Sequence, residues 1–147
     1  MGKSREFARM PNLPLFAVSA SGATSLAATS FTKVLFAGEE FDTNANFASS
    51  RFTPTVAGYY QINSGVKLSG TVTSSYLVIY KNGVAYKNGE FEGGSQTDPL
   101  KTVNALVYLN GSTDYVEIFA YNGSAGAINT TATSNLTWFD GYLARIA

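Results

Sequence analysis

The sequence predicts an all-β sandwich, and three observations support that fold class. Short apolar runs are separated by turn signals rich in Gly, Pro and Asn, at spacings of about 8–12 residues. Residues 60–68 alternate apolar and polar side chains with a period of two, as a half-buried strand does. No stretch has a convincing helical pattern, and no apolar run approaches the roughly 18 residues of a membrane span. We therefore expect one domain built of strands, with no membrane insertion.

The first half of the domain is expected to contain three main strands. Residues 16–18 are the expected first strand, and the breaker sequence at residues 53–58 ends just before a long strand at residues 59–68. Residues 76–80 are continuously apolar, which predicts a strand covered on both faces. Asn82 and Gly83 tolerate the left-handed conformation, so they predict a type I′ hairpin turn.

The second half is expected to contain one strand pair and a closing strand. Residues 103–109 and 115–121 are predicted to pair through the turn between them, and each has apolar side chains on both parities. Residues 136–143 are the expected last strand, placed centrally in its sheet. Polar, Gly-rich or small-residue stretches are expected to be loops: residues 19–30, 69–75, 90–101 and 122–134.

The residue inventory argues against catalysis and against nucleic-acid binding. The chain has no Cys and no His, which removes disulfides, Cys/His zinc sites, the usual general base and the common nucleophile pairs. Ten basic and ten acidic residues give a formal net charge of +0, so the basic excess of a polyanion binder is missing. We expect a protein that is not an enzyme and uses no cofactor.

The densest acidic cluster is formed by Glu39, Glu40 and Asp42, with Asn44 nearby. These side chains could offer oxygen ligands to calcium, but their spacing does not fit a defined calcium loop such as the EF-hand. A solvated loop without metal is the preferred interpretation.

Tyrosine dominates the candidate interaction residues. Aromatic side chains make up 14% of the chain, and charged side chains also only 14%. Strands that are apolar on both faces need a second cover besides the sandwich core, and tyrosine suits an interface because its large ring carries one polar tip. Tyr60, Trp138 and Phe139 also suit the inner face. The residues expected at a subunit interface are Tyr59, Tyr76, Tyr80, Tyr108, Tyr115, Tyr121 and Tyr142.

Residues 1–15 differ from the rest and are expected to form an N-terminal arm on a domain that spans residues 16–147. Basic residues outnumber the single acidic Glu6, and two prolines limit any helix to one or two turns. The candidate partner contacts in the arm are Lys3, Arg5, Phe7 and Arg9. A secretory signal and a remnant of an expression vector are the competing interpretations, although the apolar run is short and is interrupted by Pro14.

Four segments carry a family resemblance. They are residues 52–60 (FTPTVAGYY), 78–83 (VIYKNG), 103–111 (VNALVYLNG) and 139–143 (FDGYL). In this order, they resemble the globular head domain of the first complement component, a trimeric jelly roll related to the tumour necrosis factor family. The resemblance covers residues 16–146 and implies a jelly-roll sandwich that assembles around a threefold axis.

The resemblance departs from animal members of that family, because the chain has no collagen stalk, no Cys and no convincing signal segment. Small stand-alone heads with a short arm look like phage virion proteins. The preferred hypothesis is a homotrimeric capsid decoration, or cement, protein on the virion surface that binds the major capsid protein through its arm. The alternatives are a tail or head fibre tip that touches a host glycan or protein through residues 90–99 and 122–134, and a secreted recognition module that binds carbohydrate or calcium.

Overall fold

The computed structural model describes residues 13–147, which contain no helix and form two antiparallel sheets packed face to face. Within these residues, nothing resembles a membrane-spanning helix. The arm contacts Lys3, Arg5, Phe7 and Arg9 lie outside the described residues. The strands are β1 (Leu15–Ser19), β2 (Ser25–Leu26), β3 (Ser30–Lys33), β4 (Gly38–Asp42), β5 (Phe47–Ala48), β6 (Arg51–Phe52), β7 (Gly58–Ser69), β8 (Thr71–Lys81), β9 (Val84–Asn88), β10 (Glu92–Thr97), β11 (Leu100–Leu109), β12 (Val116–Asn122), β13 (Ile128–Thr130) and β14 (Thr137–Ile146).

The first sheet is built around β7. This strand pairs with β11 and with β14, and β14 in turn pairs with β1, whose other neighbour is β4. The predicted period of two is confirmed, because Tyr60, Ile62 and Val66 are fully buried while Gln61 and Asn63 on the other parity are half-buried. The predicted central position of the last strand is also confirmed. This sheet therefore has one face on the core and one outer face.

The second sheet is built around β8 and β12, which pair along their length. Strands β3 and β6 add to β12, while β9 and β10 add to β8. The turn between β8 and β9 has φ values of 54° at Asn82 and 79° at Gly83, which confirms the predicted left-handed turn. The continuously apolar strand is also confirmed, because Leu77 and Ile79 enter the core while Val78 is fully buried on the outer face.

The core between the sheets is aromatic at one end. Phe16 stacks on Phe52 with ring centroids 4.3 Å apart and meets Phe139 edge-on at 4.9 Å. Tyr60 is fully buried, and its hydroxyl donates to the carbonyl of Val56 at 2.6 Å. Burial raises the pKa of Tyr60 to about 12.

Two of the expected loops are parts of strands. Residues 69–75 were predicted to be a loop, but β7 runs to Ser69 and β8 starts at Thr71, so Gly70 with φ 108° makes a tight turn. Residues 90–101 were also predicted to be a loop. Instead, they contain β10, which pairs with the same side of β8 as β9 does, and the start of β11 at Leu100. Both errors arise because these residues are held in the sheets by backbone hydrogen bonds, which polar and small side chains do not reveal in the sequence.

The predicted pairing of residues 103–109 with residues 115–121 is wrong. Strand β11 pairs with β7 in the first sheet, while β12 pairs with β8 in the second. The connection crosses between sheets, and the side chain of Asn110 fixes it by accepting from the backbone N–H groups of Ser112, Thr113 and Asp114. Such a crossing loop has the same turn composition as a hairpin, so the sequence pattern did not separate them.

The remaining two expected loops each hold one short strand, because β2 and β13 pair with each other at the end of the first sheet. Trp138 was expected to suit the inner face, but it lies on the outer parity of β14, half-buried against Gly65. A Cβ atom at Gly65 would approach the indole to 2.7 Å, so only glycine leaves room for that ring.

Candidate functional site

The seven tyrosines predicted for a subunit interface lie on two opposite surfaces. Tyr59, Tyr108 and Tyr142 lie on the outer face of the first sheet, on β7, β11 and β14. The other four lie on the outer face of the second sheet: Tyr76, Tyr80, Tyr115 and Tyr121. The two groups have different surroundings and therefore different roles.

We call the outer face of the first sheet the open face, defined by Tyr59, Leu106, Tyr108 and Tyr142. These side chains are exposed by 43%, 52%, 39% and 51%. Tyr59 and Tyr108 contact each other with ring centroids 5.5 Å apart. The rest of the described chain leaves both side chains partly exposed, unlike the side chains of the core. An open groove of about 530 Å³ continues this surface past Leu106 to Arg145 and Ile146. The open face is thus a large apolar surface still in contact with solvent.

A chain of polar side chains runs across the open face from β7 to its margin on β14. The amide of Gln61 donates to Asn63 at 2.9 Å, and the amide of Asn63 donates to the Asp140 carboxylate at 2.8 Å. Burial raises the pKa of Asp140 above its ordinary value, the hydrogen bond from Asn63 opposes that rise, and the negative charge of Glu40 adds to it. No described Lys or Arg forms an ion pair with this carboxylate.

We call the outer face of the second sheet the covered face, defined by Phe31, Tyr76, Tyr80, Phe119 and Tyr121. Tyr80 stacks on Phe119 with ring centroids 3.9 Å apart and an interplanar angle of 23°. Tyr121 lies 5.0 Å from Phe31 and 5.2 Å from Tyr76. Burial, followed by the neighbouring Tyr121 and Tyr80, raises the pKa of Tyr76. These rings pack on one another, and Phe31 is the most exposed of them at 38%.

An ionic cluster extends the covered face towards the start of β12. Glu117 is almost completely buried, and its Oε1 accepts from the Lys33 ammonium at 2.7 Å and from the Arg51 guanidinium at 3.0 Å. The same guanidinium lies over the Tyr115 ring, 3.8 Å from its centroid. One carboxylate shared by two cations fixes three strands, β3, β6 and β12, without leaving a buried charge unpaired.

The acidic residues near the start of the domain do not form a loop. Glu39, Glu40 and Asp42 lie on β4, the edge strand next to β1. The Asp42 carboxylate accepts from the backbone N–H of Phe47 at 2.7 Å. Within residues 13–147, no three potential ligands come together as a metal site would require.

Comparison with solved structures identifies the fold. The globular domain of zebrafish complement 1qA is 19% identical, covers 92% of this chain and 100% of its own length, and superposes with a TM-score of 0.67. Murine APRIL gives a TM-score of 0.70 at 10% identity over 90% of this chain and 99% of its own. The fold is a jelly roll of the complement-head and tumour necrosis factor type, as the sequence resemblance implied.

The same fold occurs in a virus particle. The vertex protein of phage PRD1 is 14% identical, covers 91% of this chain and 99% of its own length, and has a TM-score of 0.63. No protein-family model and no curated protein matches the sequence. The fold is therefore shared with the globular domain of complement 1qA, with APRIL and with a phage vertex protein.

Three residues of these surfaces were missed by the sequence analysis: Leu106, Phe31 and Asp140. Leu106 and Tyr108 share the outer parity of β11, so reading that parity alone would have found the open face there. Phe31 is opposite Tyr121 only because β3 pairs with β12, and Asp140 meets Asn63 only because β14 pairs with β7. These two contacts carry no local sequence signal.

Proposed function

We propose that this chain is a homotrimeric virion protein that decorates the capsid surface and binds the coat lattice through its N-terminal arm. The observation that carries the proposal is the open face. A domain that worked as a single copy would leave these partly exposed tyrosines and Leu106 in water, whereas neighbouring copies would remove them from it.

The open face supplies one of the two surfaces that this assembly needs. Contacts around a threefold axis are heterologous, so the open face of one subunit packs on a different surface of its neighbour. Because Tyr59 and Tyr108 are more exposed than the tyrosines of the covered face, we assign them to the subunit interface, and we place Tyr142 at its margin. We assign a stabilising role within the subunit to Tyr76, Tyr80, Tyr115 and Tyr121. The proposed interface therefore contains fewer tyrosines than the seven expected from the sequence.

The virion assignment rests on two supports. The phage PRD1 vertex protein shares the fold over nearly its whole length. The arm carries Lys3, Arg5 and Arg9 in a sequence without His or Cys, so binding through the arm is a better explanation of the residue inventory than catalysis. A trimer presents three arms, so it can bridge several coat subunits and stabilise the lattice by mass action.

Co-sedimentation tests the proposed function. Purified protein is mixed with undecorated capsids and, separately, with host cells. We expect it to pellet with capsids, and we expect the combined change Lys3→Gln, Arg5→Gln and Arg9→Gln to weaken that binding while the trimer remains. Lys87→Gln is the control, because it removes a positive charge from the body of the domain, on the exposed strand β9. Binding to cells but not to capsids would contradict the decoration role.

Recognition of a host surface is the second candidate function, and one observation favours it. Phe91 is 63% exposed at the start of the predicted contact segment 90–99, with its ring 5.5 Å from Tyr76. An exposed aromatic next to a rigid ring cluster suits a glycan or protein contact. If the chain acts in this way, Phe91→Ala abolishes cell binding and leaves capsid binding unchanged.

A further inference from the structure

A recess at the margin of the open face combines one carboxylate with aromatic walls. It has a volume of about 390 Å³, and β1, β4 and β14 line it with Leu15, Ala17, Phe41, Asp140 and Tyr142, together with Phe16 and Gly141. Phe41 and Tyr142 are exposed by 44% and 51%. A carboxylate beside two exposed aromatic rings is a favourable binding environment for an alkylguanidinium or alkylammonium group.

The charge of the recess is unbalanced within the described chain. Asp140 receives one hydrogen bond, from Asn63, and the neighbouring charge is that of Glu40, which has the same sign. Across β14 its neighbours are Asn63 on β7 and Ala17 on β1, which are uncharged, and Glu39 and Glu40 come from β4. None of these acidic groups takes part in an ion pair among residues 13–147.

The complementary charge lies in the part of the chain that precedes the described residues. Residues 1–12 contain three basic and one acidic side chain, whereas residues 13–147 contain seven basic and nine acidic side chains. The connection point is next to the recess, because the Leu13 carbonyl accepts from Thr43 at 3.1 Å and Leu15 is itself a lining residue.

We propose that the recess formed by Asp140, Phe41 and Tyr142 binds a basic side chain of the chain's own N-terminal segment, and that this side chain is Arg9. Among Lys3, Arg5 and Arg9, the last is closest in sequence to Leu13, so it closes the shortest loop at the smallest entropic cost. Four residues span at most about 14 Å, which matches the about 13 Å along β1 from Leu13 to Ala17, the residue opposite Asp140. A guanidinium also pairs with a carboxylate and stacks on a ring at the same time.

This inference goes beyond the virion role and does not rest on it. The recess holds the arm of the free protein, and a coat subunit that binds the arm has to compete with it. The arm would therefore have two binding sites, one on its own domain and one on its partner.

Limited trypsin digestion of the full chain tests the docking. Trypsin cleaves after Arg9, and a docked Arg9 is protected from it. We expect Asp140→Asn to speed cleavage after Arg9 about fivefold, the size of effect expected for a partly buried ion pair with a cation–π contact. Glu90→Gln is the control, because it removes an exposed carboxylate far from the recess in sequence and should leave the rate unchanged. Equal cleavage rates in wild type and Asp140→Asn would overturn the proposal.

NMR titration of the Asp140 carboxyl gives a second readout that does not perturb the folded domain. Arg9→Gln removes a nearby positive charge and should raise the pKa of Asp140 further, whereas Lys3→Gln should leave it unchanged. An unchanged titration in Arg9→Gln would overturn the proposal. If the pKa of Asp140 rises in Arg145→Gln and not in Arg9→Gln, the recess binds Arg145 of a second copy. That result would also overturn the proposal.

Discussion

The two outer faces of this sandwich both carry tyrosines but pack them differently. On the covered face, rings stack or meet at centroid distances from 3.9 to 6.2 Å, and a buried carboxylate joins two cations beside them. On the open face, Tyr142 and Leu106 are each about half exposed. The same residue type therefore stabilises the subunit on one side and remains available to a partner on the other. Composition alone does not separate these roles; the contacts of each ring do.

The largest expected effect comes from placing the same substitutions on each face. Tyr59→Ser with Tyr108→Ser should reduce the mass in sedimentation from three times the chain mass of 15.6 kDa to a single chain. Loss of interface aromatics costs about 2 kcal/mol or more per residue, and the trimer repeats the loss three times.

The matched pair on the covered face is Tyr80→Ser with Tyr121→Ser. These changes should lower the melting temperature while the folded fraction keeps the mass of the wild type. If the covered-face pair dissociates the assembly and the open-face pair does not, the assignment of the two faces is reversed.

The second effect concerns the stability of the covered face. Phe119→Ala removes the ring stacked on Tyr80 and should lower the free energy of unfolding by about 2–3 kcal/mol, measured by denaturant titration. Tyr86→Ala is the control, because Tyr86 is 43% exposed in the β8–β9 hairpin region and should cost less than about 0.5 kcal/mol. Similar costs for both variants would show that the ring cluster does not stabilise the fold.

The third effect concerns the ionic cluster beside the rings. Glu117→Ala leaves Lys33 and Arg51 without their carboxylate, but their side chains are 27% and 42% exposed and can reach water. We therefore expect a loss of about 1–2 kcal/mol in denaturant titration, less than for an ion pair with both partners buried. Glu90→Ala, an exposed acidic residue, serves as the control. If Glu117→Ala and the control lower the free energy of unfolding by the same amount, the ionic cluster does not stabilise the fold.

The smallest effect is a pH dependence confined to the open face. Because the pKa of Asp140 is raised in the folded protein, its stabilising contribution is present below the unfolded pKa and is lost as pH rises through the folded value. The melting temperature of the wild type should fall between acidic and neutral pH because of this loss. The fall should be larger in Arg9→Gln, and the part due to residue 140 should be missing in Asp140→Asn. A pH profile of Asp140→Asn identical to that of wild type would contradict this assignment.

Much of the fold was predictable because it is encoded locally. The alternation in β7 identified its buried side chains, and Asn82-Gly83 identified its turn, because a period of two and a left-handed preference are properties of neighbouring residues. Strand β10 was not predictable, because a polar edge strand is held by the backbone of β8 and not by its own side chains.

The candidate surfaces were predictable only as a list of tyrosines. The sequence showed that strands with apolar side chains on both faces must be shielded from water on their outer face. It did not show whether side chains of the same subunit or of another subunit shield them. Phe31 reaches Tyr121 across β3 and β12, which are separated by most of the chain, and this contact decides that Tyr121 is covered. Tyr142 has no ring packed on it within the described residues and stays exposed.

By itself, the sequence determined that the chain is an all-β domain, which side chains of its long strands enter the core, and that the chain has no His or Cys. Only the tertiary structure decided how the tyrosines divide between the two faces and that Asp140 lies in an aromatic recess beside the start of the domain. The reason is physical: burial within a strand follows from its period, whereas contacts between strands depend on pairing partners that are distant in sequence.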